Sequence, residues 1–85
     1  MISLILEFAT NSSIKPFELQ EFFEEIKHWG LTNCIVTEYS YSHSSGIFSF
    51  SLCCQEKTSV WKFVIDIQHW KGWEINNVTI NSINE

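Results

Sequence analysis

The sequence predicts one α+β domain spanning residues 1–85, a single amphipathic helix packed on a five-stranded, mostly antiparallel sheet in the order β-α-β-β-β-β. Three observations predict it. The chain opens on a period-two alternation, a proline then introduces apolar residues at three- and four-residue spacing, and a glycine hands over to aromatic and β-branched runs split by turn formers. With 85 residues, of which 45% are hydrophobic and 15% aromatic, one core is expected. A chain of this size buries roughly 60–65% of its unfolded surface, so most of its large apolar side chains are needed inside.

In the first segment Ile2, Leu4, Leu6 and Phe8 share one face and Ser3, Ile5 and Glu7 the other, as in a half-buried strand. A polar loop, Thr10 to Ser13, follows. Pro16 suits the first turn of a helix, where its missing N–H loses nothing, with Ser13 or Lys15 in the cap region. Leu19, Phe22, Phe23, Ile26 and Trp29 then form one stripe of a helix running from Pro16 to Trp29 and stopped by Gly30. Its other face carries Glu18, Glu21, Glu24, Glu25 and Lys27, with acidic residues toward the start, where the helix dipole favours them.

Four further strands are expected. Asn33 to Tyr41 alternates Ile35, Thr37, Tyr39 and Tyr41 against Cys34, Val36 and Glu38, and Ser42 to Gly46 is a turn. Ile47 to Cys54 sets Phe48, Phe50 and Leu52 against Ser49 and Ser51. After a turn at Gln55 to Ser59, Val60 to Gln68 alternates Trp61, Phe63, Ile65 and Ile67 against Val60, Lys62, Val64 and Asp66. His69 to Gly72 forms the next turn. In the last strand, Trp73 to Ile83, Trp73 and Ile75 are out of phase with Val78 and Ile80, which calls for a bulge or tight turn at Asn76-Asn77.

Composition narrows the function. A formal charge of −5, with ten carboxylates against five basic residues, argues against direct nucleic-acid binding, which depends on cations that displace counterions from phosphates. The opening run has no basic n-region, and no apolar stretch approaches the ~18 residues of a membrane span, so neither export nor a membrane is expected. Three cysteines, two of them adjacent, make a poor disulfide framework and fit the reducing cytoplasm. Glycosylation patterns at Asn11-Ser12-Ser13 and Asn77-Val78-Thr79 are then idle.

No catalytic or metal constellation stands out. Glu24 and His28 are one helical turn apart, but such pairs are routine on solvated helices and no nucleophile is placed to complete a site. Cys34, Cys53, Cys54, His28, His43 and His69 include zinc-ligand types without the short knuckle spacings of zinc sites, and adjacent Cys53 and Cys54 point to opposite faces of a strand. No base or helix start lies beside a thiol to activate it, and Gly30, Gly46 and Gly72 serve as stop or turn residues. Neither enzyme activity nor a cofactor is expected.

The sheet face turned away from the helix offers a binding surface. Glu7, Glu38 and Asp66 fall outward on three different strands, among Ser3, Ser49, Ser51 and Lys62 and flanked by Ile5, Val36, Val60 and Val64. Trp70 and Trp73, bracketing Lys71-Gly72, either anchor a partner or fold back to close the core; Tyr39 and Tyr41 beside His43 pose the same alternative. The expected function is a small acidic protein-binding module, a bacterial immunity- or antitoxin-type inhibitor that occludes a basic toxin such as a nuclease. The alternatives are a phage or mobile-element inhibitor of a host nuclease complex, a small enzyme, and a homodimer or larger assembly built through a strand edge or the Val60/Val64 face.

Overall fold

A computed structural model of the chain describes residues 2–10, 14–28 and 34–83. The elements are β1 (Ile2–Thr10), α1 (Pro16–His28), β2 (Cys34–Ser42), β3 (Ile47–Cys54), α2 (Thr58–Lys71) and β4 (Ile75–Ser82). Among the described residues these are four strands and two helices, not the five strands and one helix that the periodicities predict. The segment from Val60 to Gln68, expected as a strand, lies inside α2.

Residues 60–67 carry two periods at once, and the helical one prevails. Val60, Phe63, Val64 and Ile67 sit at i, i+3, i+4 and i+7 and are all buried, whereas Trp61 and Ile65, which alternate with Phe63 and Ile67 in a strand reading, are 51% and 50% exposed. Length favours the same outcome. Fourteen residues free of Gly and Pro exceed the usual strand but suit a helix. Gly72, at φ 69°, takes the left-handed conformation and donates its N–H to the Gln68 carbonyl at 2.8 Å. His69 to Gly72 is therefore the last helical turn and its stop, not a hairpin turn.

α1 runs over the expected span and buries Phe22, Phe23 and Ile26, with Leu19 half-buried beside them. The candidate cap Ser13, Trp29 of the stripe, the Gly30 stop and the Asn11-Ser12-Ser13 motif lie outside the described residues, as do Asn33 and the His28 side chain.

The sheet order is β2-β3-β1-β4, with every neighbouring pair antiparallel. β1 and β2 both oppose β3, so β1-α1-β2 is a parallel crossover that skips one strand, and β3-α2-β4 is another. Two interleaved crossovers of this kind make the split βαβ, ferredoxin-like arrangement. Both helices cover one face, since the Phe50 ring meets Phe22 of α1 at 6.0 Å and Phe63 of α2 at 6.0 Å.

The central strands show the alternation most clearly. Leu4, Leu6 and Phe8 of β1 and Phe48, Phe50, Leu52 and Cys54 of β3 are buried against the helices, while the residues between them face the open side. β2 departs from its expected phase because a bulge inserts Thr37 between the pairs Val36↔Leu52 and Glu38↔Ser51, and the Thr37 hydroxyl donates to the Ser51 carbonyl at 3.1 Å. Cys34 and Val36 before the bulge and Tyr39 and Tyr41 after it therefore all reach the helix side. A second register shift opposes Glu7 to Ala9 on β1 to the Asn76-Asn77 region of β4, with Asn77 at φ 53°, where the phase change in the sequence requires it.

Candidate functional site

The carboxylates expected to share one surface are separated. Glu7 lies half-buried on the open face of β1, opposite Ser49 and Thr79, and Glu38 is exposed on β2 opposite Ser51. Two strand spacings and two residues of rise put their Cα atoms roughly 12 Å apart. Asp66 belongs to α2, which packs on the other face of the sheet, so it cannot join them. This follows from the helix over 58–71, which redirects the side chains expected to point outward from a strand. Val60 and Val64, placed beside these acids by the same reading, are in the core.

Trp70 and Trp73 are half-buried and close one end of the core. The Trp70 ring lies 5.6 Å from that of Phe22, and Trp73 lies 4.9 Å from Phe22 and 5.6 Å from Phe48. Lys71 places its Nζ 4.4 Å from the Trp70 ring centroid, a cation–π contact that lays the lysine stem along the indole. Tyr41 likewise packs on Phe48 at 4.6 Å, with His43 edge-on to it at 4.9 Å.

Two surfaces remain with partner-binding chemistry. The first is the open sheet face, where Ser3, Ser40, Ser49, Ser51, Thr79 and Asn81 surround Ile5, Ile35, Glu7 and Glu38. None of the four strands contains a Lys, Arg or His, so the sheet's only charges are the two glutamates. A phosphate backbone would meet repulsion there.

The second surface was not legible in the sequence. Where α1 crosses the β2 edge, Pro16, Leu19, Gln20, Phe23, Glu24 and Tyr39 line a groove of about 350 Å³. Its floor is the Phe23–Tyr39 stack, with ring centroids 4.2 Å apart and planes 21° from parallel. Glu24 and Gln20 form the rim, and exposed Glu21 and Glu25 continue the acidic face along the helix. Aromatic faces beneath a carboxylate attract a guanidinium or ammonium group. Phe23 and Tyr39 are both readable as core-side residues, but their meeting depends on the Thr37 bulge.

The thiols form a separate cluster. Cys34 and Cys54 are directly opposed on β2 and β3, buried, with sulfurs 2.8 Å apart, while Cys53 faces the open side with its sulfur 3.9 Å from the Ser3 hydroxyl. Burial pushes the Cys54 thiol up from 9.0 to about 12, helped by its hydrogen bond with Cys34 and by the charges that Cys34 and Cys53 would carry. Burial also raises Cys34, partly offset by its hydrogen bond with Cys54. Below pH 9 both folded and unfolded thiols are protonated and the stabilisation is fully present. Between pH 9 and about 12 the unfolded chain releases the Cys54 proton while the folded chain keeps it, so stability falls as pH rises. Cys54→Ala removes that component, and its stability deficit in urea unfolding should therefore shrink between about pH 8 and pH 11; a deficit constant with pH would contradict the assignment.

Among the described residues no three His, Cys, Asp or Glu side chains gather as a group that could hold a metal ion; of the zinc-ligand types in the sequence, Cys34 and Cys54 are the pair brought together. No described helix is long and apolar enough to cross a membrane. Comparison with protein-family models, curated proteins and solved structures finds no match to this chain.

Proposed function

We propose that this chain is a small protein-binding module that captures a basic partner with the acidic side of its fold, α1 and the groove beside it. The observation that carries the reading is the excess of acid on α1. It bears Glu18, Glu21, Glu24 and Glu25, with Lys15 just before its first turn, and the sheet bears only Glu7 and Glu38, whereas at and on α2 Lys57, Lys62 and Lys71 are balanced by Glu56, Asp66 and Glu74. A field polarised in this way steers and orients a cationic surface, and the groove takes one of its lysine or arginine side chains.

The partner class that fits is a protein whose own function needs exposed cations, foremost a nuclease or similar toxin. Covering that surface would make the chain an inhibitor of the immunity or antitoxin kind. A cytoplasmic place of action belongs to the same proposal and draws on the three free thiols. Surface plasmon resonance against a panel of basic nucleases tests it. One member should bind with an association rate that falls steeply with salt, and the Glu21→Gln/Glu24→Gln double variant should slow that rate roughly three- to tenfold at low ionic strength. Binding indifferent to salt and to both substitutions, or no binding across the panel, would remove the reading.

Self-association is the second reading. It is favoured by Trp61 and Ile65, one turn apart and half exposed on the outer side of α2. Sedimentation decides it: a monomer at every concentration rules it out.

A further inference from the structure

We propose that Cys34 and Cys54 are a reversible oxidation site, closing a cross-strand disulfide that ties the start of β2 to the end of β3 when the chain meets a peroxide. The register carries the inference. Cys34 and Cys54 are Cα partners in an antiparallel pair, so their Cβ atoms leave the same face and their Cα separation falls in the roughly 4.5–5.5 Å range of opposed residues. That range lies within the span a disulfide bridges without backbone movement, about 4.4–6.8 Å. The sulfurs already touch at 2.8 Å, and both thiols are free. Cys53 cannot substitute, because its side chain leaves the other face of the strand and its neighbours there are Ser3 and Ile35.

The chemistry balances with hydrogen peroxide as oxidant. Cys34, 8% exposed on the edge strand, first gives its proton to solvent, and the thiolate attacks one peroxide oxygen; the O–O bond breaks, sulfenic acid forms, and the departing hydroxide takes up a proton and leaves as one water. The Cys54 sulfur then attacks the sulfenic sulfur, the S–S bond forms, the S–O bond breaks, and the hydroxyl leaves with the Cys54 proton as a second water. Two thiols lose two electrons between them, and both peroxide oxygens end as water. The oxidant reaches Cys34 from the β2 edge, where the residue keeps 8% of its surface exposed, and a dithiol reductant reverses the reaction.

The test uses the full chain, reduced and then exposed to hydrogen peroxide, with intact-mass and peptide-mapping readouts. The expected product is a monomer lighter by about 2 Da, with a Cys34–Cys54 cross-linked peptide and a melting midpoint raised by roughly 10 °C, all reversed by dithiothreitol. Cys53→Ser should leave the cross-link intact and Cys34→Ser should abolish it. Should Cys34→Ser fail to fold, the peptide map of the unsubstituted chain still decides. A gain of about 32 Da on either thiol without the cross-link, or a bond mapped to Cys53, would overturn the proposal.

Discussion

Replacing Phe22 by alanine should lower the free energy of unfolding by roughly 3–5 kcal/mol, among the largest effects of any single substitution in this chain. Phe22 is fully buried and joins three parts of the fold. Its ring meets Phe48 at 5.6 Å and Phe50 at 6.0 Å on the sheet, Trp70 in the last turn of α2 at 5.6 Å, and Trp73 just beyond that helix at 4.9 Å. Truncation removes the apolar area of one aromatic ring and leaves a cavity bounded by five others, Phe23 at 5.6 Å among them, which close packing prevents from collapsing fully. A domain of 85 residues has roughly 4–13 kcal/mol of stability in all. The variant should therefore show a clearly lower urea midpoint and a detectable unfolded fraction at 37 °C. A loss under about 1 kcal/mol would mean that Phe22 does not stand where these ring contacts place it.

The second large effect distinguishes a helix from a strand over residues 58–71. In a strand, Trp61 and Phe63 share a face and their substitutions cost alike. In α2 they part: Phe63 is 1% exposed and packs on Phe50, while Trp61 looks outward. Phe63→Ala should cost roughly 3–5 kcal/mol and Trp61→Ala about 1 kcal/mol or less, measured by denaturant unfolding at constant m. Comparable losses from both would restore the strand and dismantle the two-crossover topology. Far-ultraviolet circular dichroism of Trp61→Ala should keep the helical signal of the unsubstituted chain, since an exposed alanine suits a helix at least as well as tryptophan.

How much of this could be read in advance differs from element to element. β1 and β3 are the central strands, each packed on one face only, so a single period survives in Leu4-Leu6-Phe8 and in Phe48-Phe50-Leu52. α1 is equally plain, because Phe22, Phe23 and Ile26 admit no alternating reading and Pro16 marks its start. Even the separation of Cys53 from its neighbour Cys54, one half-buried and the other fully buried, follows from strand geometry alone. α2 was hidden by its own richness. Outward Trp61 and Ile65 complete an alternation that competes with the true stripe, and Val and Ile tilt a local reading toward a strand.

Local pattern and turn chemistry thus settled β1, α1 and β3 and the turn from Ser42 to Gly46. Contacts between segments distant in sequence decided the rest. Whether Val60 to Ile67 coils depends on the surface offered by Phe50 and its neighbours, because an apolar stripe is stabilised only by what covers it. The same dependence governs function. Asp66 left the proposed acidic face when its segment became a helix, and the groove arose where Phe23 of α1 met Tyr39 of β2, brought round by one extra residue at Thr37. A bulge of one residue reverses every later side chain of its strand, and no periodicity within the strand announces it.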